Sequence, residues 1–247
     1  MVNMIIDGKH ISAEENITIM EAAERNGIPI PKLCYLKGIN EIAACRVCCV
    51  EVEGERAMVT ACNNPVKEGM VVHTNSPRVR TTRRINVELI LSQHDCKCAT
   101  CVRSGNCELQ TMAQQMGIRE IRFEGEKSTF PIDDRSVAIV RDPNKCILCG
   151  DCVRMCDNVQ NINAIDFAYR GTDAQVMPAF NKKIAETDCV GCGQCRVVCP
   201  TGAISINTNI EVIWDLLADK NTKVIAQIAP AVRVAVGDQF GLPRGEN

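Results

Sequence analysis

Seventeen cysteines in 247 residues decide what chemistry this chain can do. The tightest pattern occurs twice. Cys146, Cys149, Cys152 and Cys156 follow C-x2-C-x2-C-x3-C. Cys189, Cys192, Cys195 and Cys199 repeat it 43 positions further on, with Pro200 next. Four thiolates in so short a run wrap one loop around a soft metal group, whereas zinc usually takes two separated pairs. The spacing is that of [4Fe–4S] cubanes, and in two-cluster versions the fourth Cys of each run ligates the other cluster. The expected sets are therefore crossed. Cys146, Cys149, Cys152 and Cys199 hold one cubane, and Cys189, Cys192, Cys195 and Cys156 hold the second. Asp157 stands where proline is usual after the first run, a departure that leaves the thiolates intact.

Two looser constellations precede the repeat. Cys34, Cys45, Cys48 and Cys62 are separated by 10, 2 and 13 residues. The plant-type [2Fe–2S] pattern keeps such an x2 pair and a distant fourth Cys, with a shorter first gap. A strand-rich host makes [2Fe–2S] the expected occupant, with a structural zinc as the alternative. Cys49, beside Cys48, points across the strand and reads as a small buried apolar residue. In HDCKCATCVRSGNC, Cys98, Cys101 and Cys107 supply three thiolates and lack a fourth ligand. His94 and Cys96 are the nearby candidates. Imidazole replaces thiolate in some iron–sulfur sites and raises the potential there, so spacing alone leaves the two open.

The elements that must position these ligands fall into four segments. Residues 1–77 form a small α+β unit. MIIDGKHI is a hairpin around Asp7-Gly8. Thr18 and Glu21 fit a capping box, and Gly27 a helix stop. AACRVCCVEVEGERAMVTAC reads as loop, strand, Gly turn and strand. Residues 78–127 continue from a Ser76-Pro77 helix start into an amphipathic helix ending near His94. Residues 128–208 hold the repeat, each copy a cysteine loop followed by a short helix. Residues 209–247 contain no Cys. There NIEVIWDLLAD reads as a helix, KVIAQIA as a buried strand and PAVRVAVGDQFG as the start of another helix, too little to close a core.

Composition narrows the classes. Hydrophobic residues make up 46% and charged residues 23%, which is ordinary for a globular chain. Net charge is −2, and no nucleic-acid module surrounds the basic run at Arg78, Arg80, Arg83 and Arg84, which reads as a solvated face or a contact with an acidic partner. No apolar run approaches the roughly 18 residues of a membrane span, and the N-terminus lacks a signal pattern. A cytoplasmic, reducing setting is expected, where so many cysteines argue for metal ligands over disulfides. Aromatics are few, with five Phe, two Tyr and one Trp, so metal groups are expected to help hold the fold. No Walker loop, GxGxxG fingerprint or nucleophile triad is present, and no catalytic residue is assigned.

Taken in order, CYLKG…ACRVC…TAC, then H-x3-C-x2-C-x5-C, then two ferredoxin repeats, the chain resembles the N-terminal half of [FeFe]-hydrogenase catalytic subunits. It also resembles the large iron–sulfur subunit of respiratory complex I. The resemblance implies an α+β chain: a β-grasp [2Fe–2S] domain (1–77), a small His/Cys cluster domain (78–127), a two-cluster bacterial-ferredoxin domain (128–208) and a short α/β tail (209–247). It implies His94, with Cys98, Cys101 and Cys107, as ligands of a [4Fe–4S] cluster, leaving Cys96 spare. One [2Fe–2S] and three [4Fe–4S] clusters are then expected, with FMN or FAD and NAD(P) on partner subunits and ferredoxin as a further partner. Relatives of this kind are cytosolic, multimeric and in part electron-bifurcating. KVIAQIAPAVRVAVGDQFGLP resembles the entry to the hydrogenase catalytic domain, whose cluster needs further cysteines. Two functions follow from the resemblance: an electron-relay subunit of a transhydrogenase- or hydrogenase-type complex, or the relay half of a hydrogenase subunit whose hydrogen-activating domain lies past residue 247.

Overall fold

Alternating apolar residues at the N-terminus build β1 (Val2–Ile6) and β2 (Lys9–Ala13), paired antiparallel. The turn between them needs left-handed backbone, and Asp7 (φ 48°) and Gly8 (φ 80°) supply it. The computed structural model describes residues 1–125, 127 and 129–243. Helix α1 (Ile19–Arg25) begins at the expected capping box, with Glu21 N–H donating to Thr18 Oγ1 and Thr18 N–H to the Glu21 carboxylate. Strands β3 (Cys49–Val52), β4 (Val59–Thr60) and β5 (Val71–His73) complete a mixed five-stranded sheet in the order β2-β1-β5-β3-β4, in which β1 and β5 run parallel. Ile6, Ile19, Met20, Val50 and Val72 are fully buried between sheet and helix.

Helix α2 (Pro77–Gln93) is capped by Ser76 Oγ, which accepts from Val79 N–H, and ends with His94 as its C-cap. Helix α3 (Glu108–Gln115) starts at Cys107. Val87 of α2 and Leu109 and Met112 of α3 pack on Leu33 and Val47, with Ile147 against them. This small core joins the first segment, the second and the repeat. On α2, the fully buried Glu88 accepts from Arg84 Nε at 2.8 Å and from Arg122 Nε at 2.7 Å.

Strand β6 (Ile139–Arg141) opens the repeat region. The first cysteine loop leads into α4 (Asp151–Arg154), which runs on as a π-helical turn over Met155–Val159. A hairpin of β7 (Asp166–Ala168) and β8 (Gln175–Met177) follows. The second loop leads into α5 (Gln194–Val198), and β9 (Ile204–Ile206) returns to pair antiparallel with β6.

Residues 208–243 belong to a separate unit. It contains α6 (Ile210–Ala218) and α7 (Pro230–Ala235), both where expected. The strand expected at KVIAQIA does not form. Residues 223–229 are irregular, and Ile225 and Ile228 are 79% and 62% exposed. A strand needs a hydrogen-bonding neighbour, and among the described residues this unit offers none. Among the described residues no helix is long and apolar enough to cross a membrane.

Candidate metal centres

The first centre sits on the rim of the five-stranded sheet. Cys34 lies in the loop after α1, Cys45 and Cys48 lie in the loop before β3, and Cys62 follows β4. Ala43 and Arg46 adopt left-handed φ of 54° and 53°, which folds the middle loop back on itself. The four thiols come together: Cys45 N–H donates to Cys34 Sγ at 3.3 Å, and Cys48 and Cys62 Sγ are 3.3 Å apart. The Cys45 contact drives the Cys34 thiol up while Cys45 falls to about 6, and the Cys62 contact lowers Cys48 while Cys62 rises. Cys49 is buried on the opposite side of the strand, and Arg83 Nη2 donates to its carbonyl at 2.8 Å.

The second centre spans the α2–α3 connection. His94 is buried, and its Nδ1 has no hydrogen-bond partner among the described residues. Burial pushes its pKa down, favouring the neutral imidazole that can act as a ligand. Cys101 and Cys107 are half-buried and within electrostatic reach of each other. Cys98 is exposed in a 3-10 turn. Cys96 is also exposed, and its Sγ donates to backbone carbonyls of His94 (3.4 Å) and Leu91 (3.7 Å).

The third and fourth centres share one local design. Each cysteine loop turns through a left-handed glycine that caps a helix, Gly150 (φ 83°) before α4 and Gly193 (φ 72°) before α5. A Cβ would strain at that φ, which is why glycine stands at both positions. A cavity is lined by Cys146, Cys149 and Cys152 of the first run together with Cys199 of the second, alongside Arg141 and Ile147. Cys195 instead neighbours Cys189, Cys192 and Cys156. Burial pushes Cys146 up to about 11, Cys195 up to about 12, and Cys149 and Cys152 well up. Ligation of iron by these thiols must therefore release protons. Among the described residues no three His, Cys, Asp or Glu side chains converge on a single ion's position. A polynuclear cluster takes its thiolates from around its rim and needs no such convergence.

Three groups of contacts join the centres, around Asn40, around Pro200 with Arg103, and at Gly202, and none was evident in the sequence. Asn40 Nδ2 donates to the carbonyls of Cys34 (3.1 Å) and Cys149 (2.9 Å) and to Asp151 Oδ1 (2.5 Å). Burial pushes the Asp151 carboxyl up to about 6. Pro200 O accepts from Glu108 N–H at 3.1 Å and lies 3.6 Å from Cys107 Sγ, while Arg103 Nη2 donates to Cys199 O at 3.4 Å. Gly202 presses on Cys101: a Cβ at position 202 would sit 2.6 Å from its Sγ. Arg141, buried beside the cavity, has an Nε without a partner among the described residues. The surrounding sequence carries no local signal for these residues, because each acts on a segment far away in the chain.

Comparison with known proteins fits this geometry. Residues 1–77 match a 2Fe-2S iron-sulfur cluster binding domain, residues 83–122 the NADH-ubiquinone oxidoreductase-G iron-sulfur binding region, and residues 145–203 a 4Fe-4S dicluster domain. The NADP-reducing hydrogenase subunit HndD of Solidesulfovibrio fructosivorans is 46% identical over 99% of this chain and 43% of its own length. Iron hydrogenase 1 of Clostridium pasteurianum is 32% identical over the same shares. The NADPH-Fe(3+) oxidoreductase subunit alpha of Geobacter sulfurreducens is 37% identical over 83% of this chain and 24% of its own. The chain thus spans less than half the length of these curated relatives. A chain in the crystal structure of an NAD+-reducing [NiFe]-hydrogenase superposes with a TM-score of 0.78 at 27% identity, covering 84% of this chain and 88% of that one. The resemblance drawn from the cysteine spacing is borne out.

Proposed function

Since the chain carries a 2Fe-2S module, a complex I-type iron–sulfur region and a 4Fe-4S dicluster module in that order, and is a relative of NAD(P)-linked hydrogenase subunits, we propose that it is an electron relay. It would serve an NAD(P)-linked complex, passing single electrons between a flavin- and NAD(P)-binding partner subunit and ferredoxin or another acceptor. In this reading the β-grasp module holds a [2Fe–2S] cluster on Cys34, Cys45, Cys48 and Cys62. His94, Cys98, Cys101 and Cys107 hold a [4Fe–4S] cluster. The crossed sets Cys146, Cys149, Cys152, Cys199 and Cys189, Cys192, Cys195, Cys156 hold two more. The setting is cytoplasmic, and bifurcation at the partner flavin is part of the proposal.

The observation that carries the reading is that the two loops supplying Cys146, Cys149, Cys152 and Cys199 each border another candidate centre. The loop of Cys149 meets that of Cys34 through Asn40, and the segment after Cys199 meets Cys101 and Cys107. When bound, the clusters supply reversible one-electron chemistry at potentials set by charge, hydrogen bonds to sulfur and solvent exposure. The chain's own residues fix those variables. Buried Cys34, Cys48, Cys62, Cys149, Cys152 and Cys199 exclude water. Cys45 N–H and Leu148 N–H donate to Cys34 and Cys146 sulfurs. The imidazole of His94 adds no negative charge to its site. Anaerobic purification with iron analysis tests this: fourteen irons per chain are expected, and a chain with zinc in place of iron overturns the reading.

A second reading is favoured by the tail. The two hydrogenases align over 99% of this chain, including residues past 208, where the Geobacter subunit aligns over 83%. The chain would then be the relay half of an [FeFe]-hydrogenase catalytic subunit. The intact mass of this polypeptide in the native complex separates the two: about 27 kDa supports the relay subunit, and a mass tens of kDa larger supports the hydrogenase.

A further inference from the structure

Asn40 is 1% exposed and lies between two cysteine loops that are more than a hundred positions apart. Its backbone is locked by the turn that follows Cys34. Leu36 N–H donates to Asn40 O at 2.9 Å, and Asn40 N–H returns to Leu36 O at 2.8 Å. The side chain is thereby held under the first centre. Its single amide nitrogen reaches the carbonyl of Cys34, the carbonyl of Cys149 and the Asp151 carboxylate. Three buried acceptors share two N–H donors, so the amide is saturated on that side, while Asn40 Oδ1 has no partner among the described residues. The π-helical turn adds one further tie, Asn158 Nδ2 to Ile39 O at 3.3 Å.

We propose that Asn40 is a positioning residue for electron exchange between the site of Cys34, Cys45, Cys48 and Cys62 and the site of Cys146, Cys149, Cys152 and Cys199. This rests on the relay reading above. The exchange itself makes and breaks no bond: one site loses an electron, the other gains it, and no proton moves. What the exchange needs is that the two ligand loops stay in contact, and Asn40 hydrogen-bonds a ligand residue of both. Buried ties of this kind, one of them to a carboxylate, shift the held-to-open ratio of the loops by about tenfold. Exchange across the junction is expected to slow by a similar factor when the amide is removed.

The test uses the anaerobically purified, iron-replete chain, partly reduced with substoichiometric dithionite and followed by rapid-freeze electron paramagnetic resonance. In Asn40→Ala and in the near-isosteric Asn40→Leu, redistribution of the electron between the [2Fe–2S] and [4Fe–4S] signals is expected to slow about tenfold, with iron content and both signal intensities retained. Asn40→Gln, which keeps the amide, restores part of the rate. Exchange as fast as in the wild type in both Ala and Leu variants overturns the proposal. So does loss of a cluster in both, which would make Asn40 structural only. If the wild-type chain itself redistributes no electron between the two signals, the relay reading fails, a result distinct from any effect of the substitutions.

Discussion

The N-terminal module and the dicluster region set their cysteines into cores of different size and make-up. In residues 1–77 the core is ordinary. Ile6, Ile19, Met20, Val50 and Val72 are fully buried in it, and the candidate ligands Cys48 and Cys62 join it as two members among many apolar ones. In residues 139–204 the cysteines are part of the core. Cys152 and Cys199 are buried within it, and Cys146, Cys156, Cys189 and Cys195 pack against it. Apolar burial stabilises the first region, at roughly 25 cal/mol per Å². The second has a smaller apolar core, with Ile139, Val153, Ile165, Val176, Ile184 and Ile204 buried beside the cysteines. The lesson is that the same residue type can be a minor part of a large apolar core or a major part of a small one.

The sharpest way to break that contrast is to remove the metal. Anaerobic chelation is expected to unfold residues 139–207 while the β1–β5 sheet persists, as read by amide hydrogen exchange, because metal–thiolate binding is coupled to folding and weighs most where the apolar core is smaller. Equal loss of protection in both regions would refute it. Next in size is Cys199→Ala. It should empty the site of Cys146, Cys149 and Cys152 and spare that of Cys189, Cys192 and Cys195, lowering iron by about four per chain; loss of the other set would reverse the crossed assignment. Ile19→Ala should cost about 2–5 kcal/mol in denaturant unfolding of the N-terminal module, and little in cubane content.

Glu88→Gln is expected to cost about 1–2 kcal/mol, because the half-exposed Arg84 and Arg122 can turn to water once the charge is gone. The Arg122 and Arg84 contacts hold the Glu88 carboxyl below the usual carboxylate range. The stability it contributes is therefore present above the unfolded value and lost as pH falls through the lowered one. The variant should show a flatter acid limb in a stability–pH profile, and an unchanged limb would exclude the ion pairs as its cause. Smallest in structural effect is His94→Cys. It should keep its cluster but change that cluster's potential in a redox titration, since a thiolate adds a charge that imidazole lacks. An identical titration would remove His94 from the ligand set.

Much of the local structure was legible because its causes are local. The Thr18–Glu21 box, the Asp7-Gly8 turn, the Gly27 stop and the Ser76-Pro77 start each work within a few residues. The expectation that Cys199 pairs with the first cysteine run comes from a repeated motif that brings its own geometric rule, and Cys199 lines one cavity with Cys146, Cys149 and Cys152. What stayed hidden was pairing between distant segments. KVIAQIA has the composition of a strand, yet strand formation depends on a neighbour that no window reveals. Asn40 sits in an unremarkable LKGIN turn, and Arg103 and Arg141 look like any charged residue. Their roles exist only once the modules meet. The choice of His94 over Cys96 likewise came from the family resemblance, since spacing treats the two alike.

The close approach of Gly202 to Cys101 has a consequence for engineering and for evolution. With no room for even a methyl group between that backbone and the sulfur, the dicluster segment and the His94 segment are not interchangeable parts. A chimera that borrows either one from a relative with a side chain at this place must move the neighbouring sulfur. The boundary that looks like a convenient splice point is where a graft would fail, and a functional transplant has to carry both segments together.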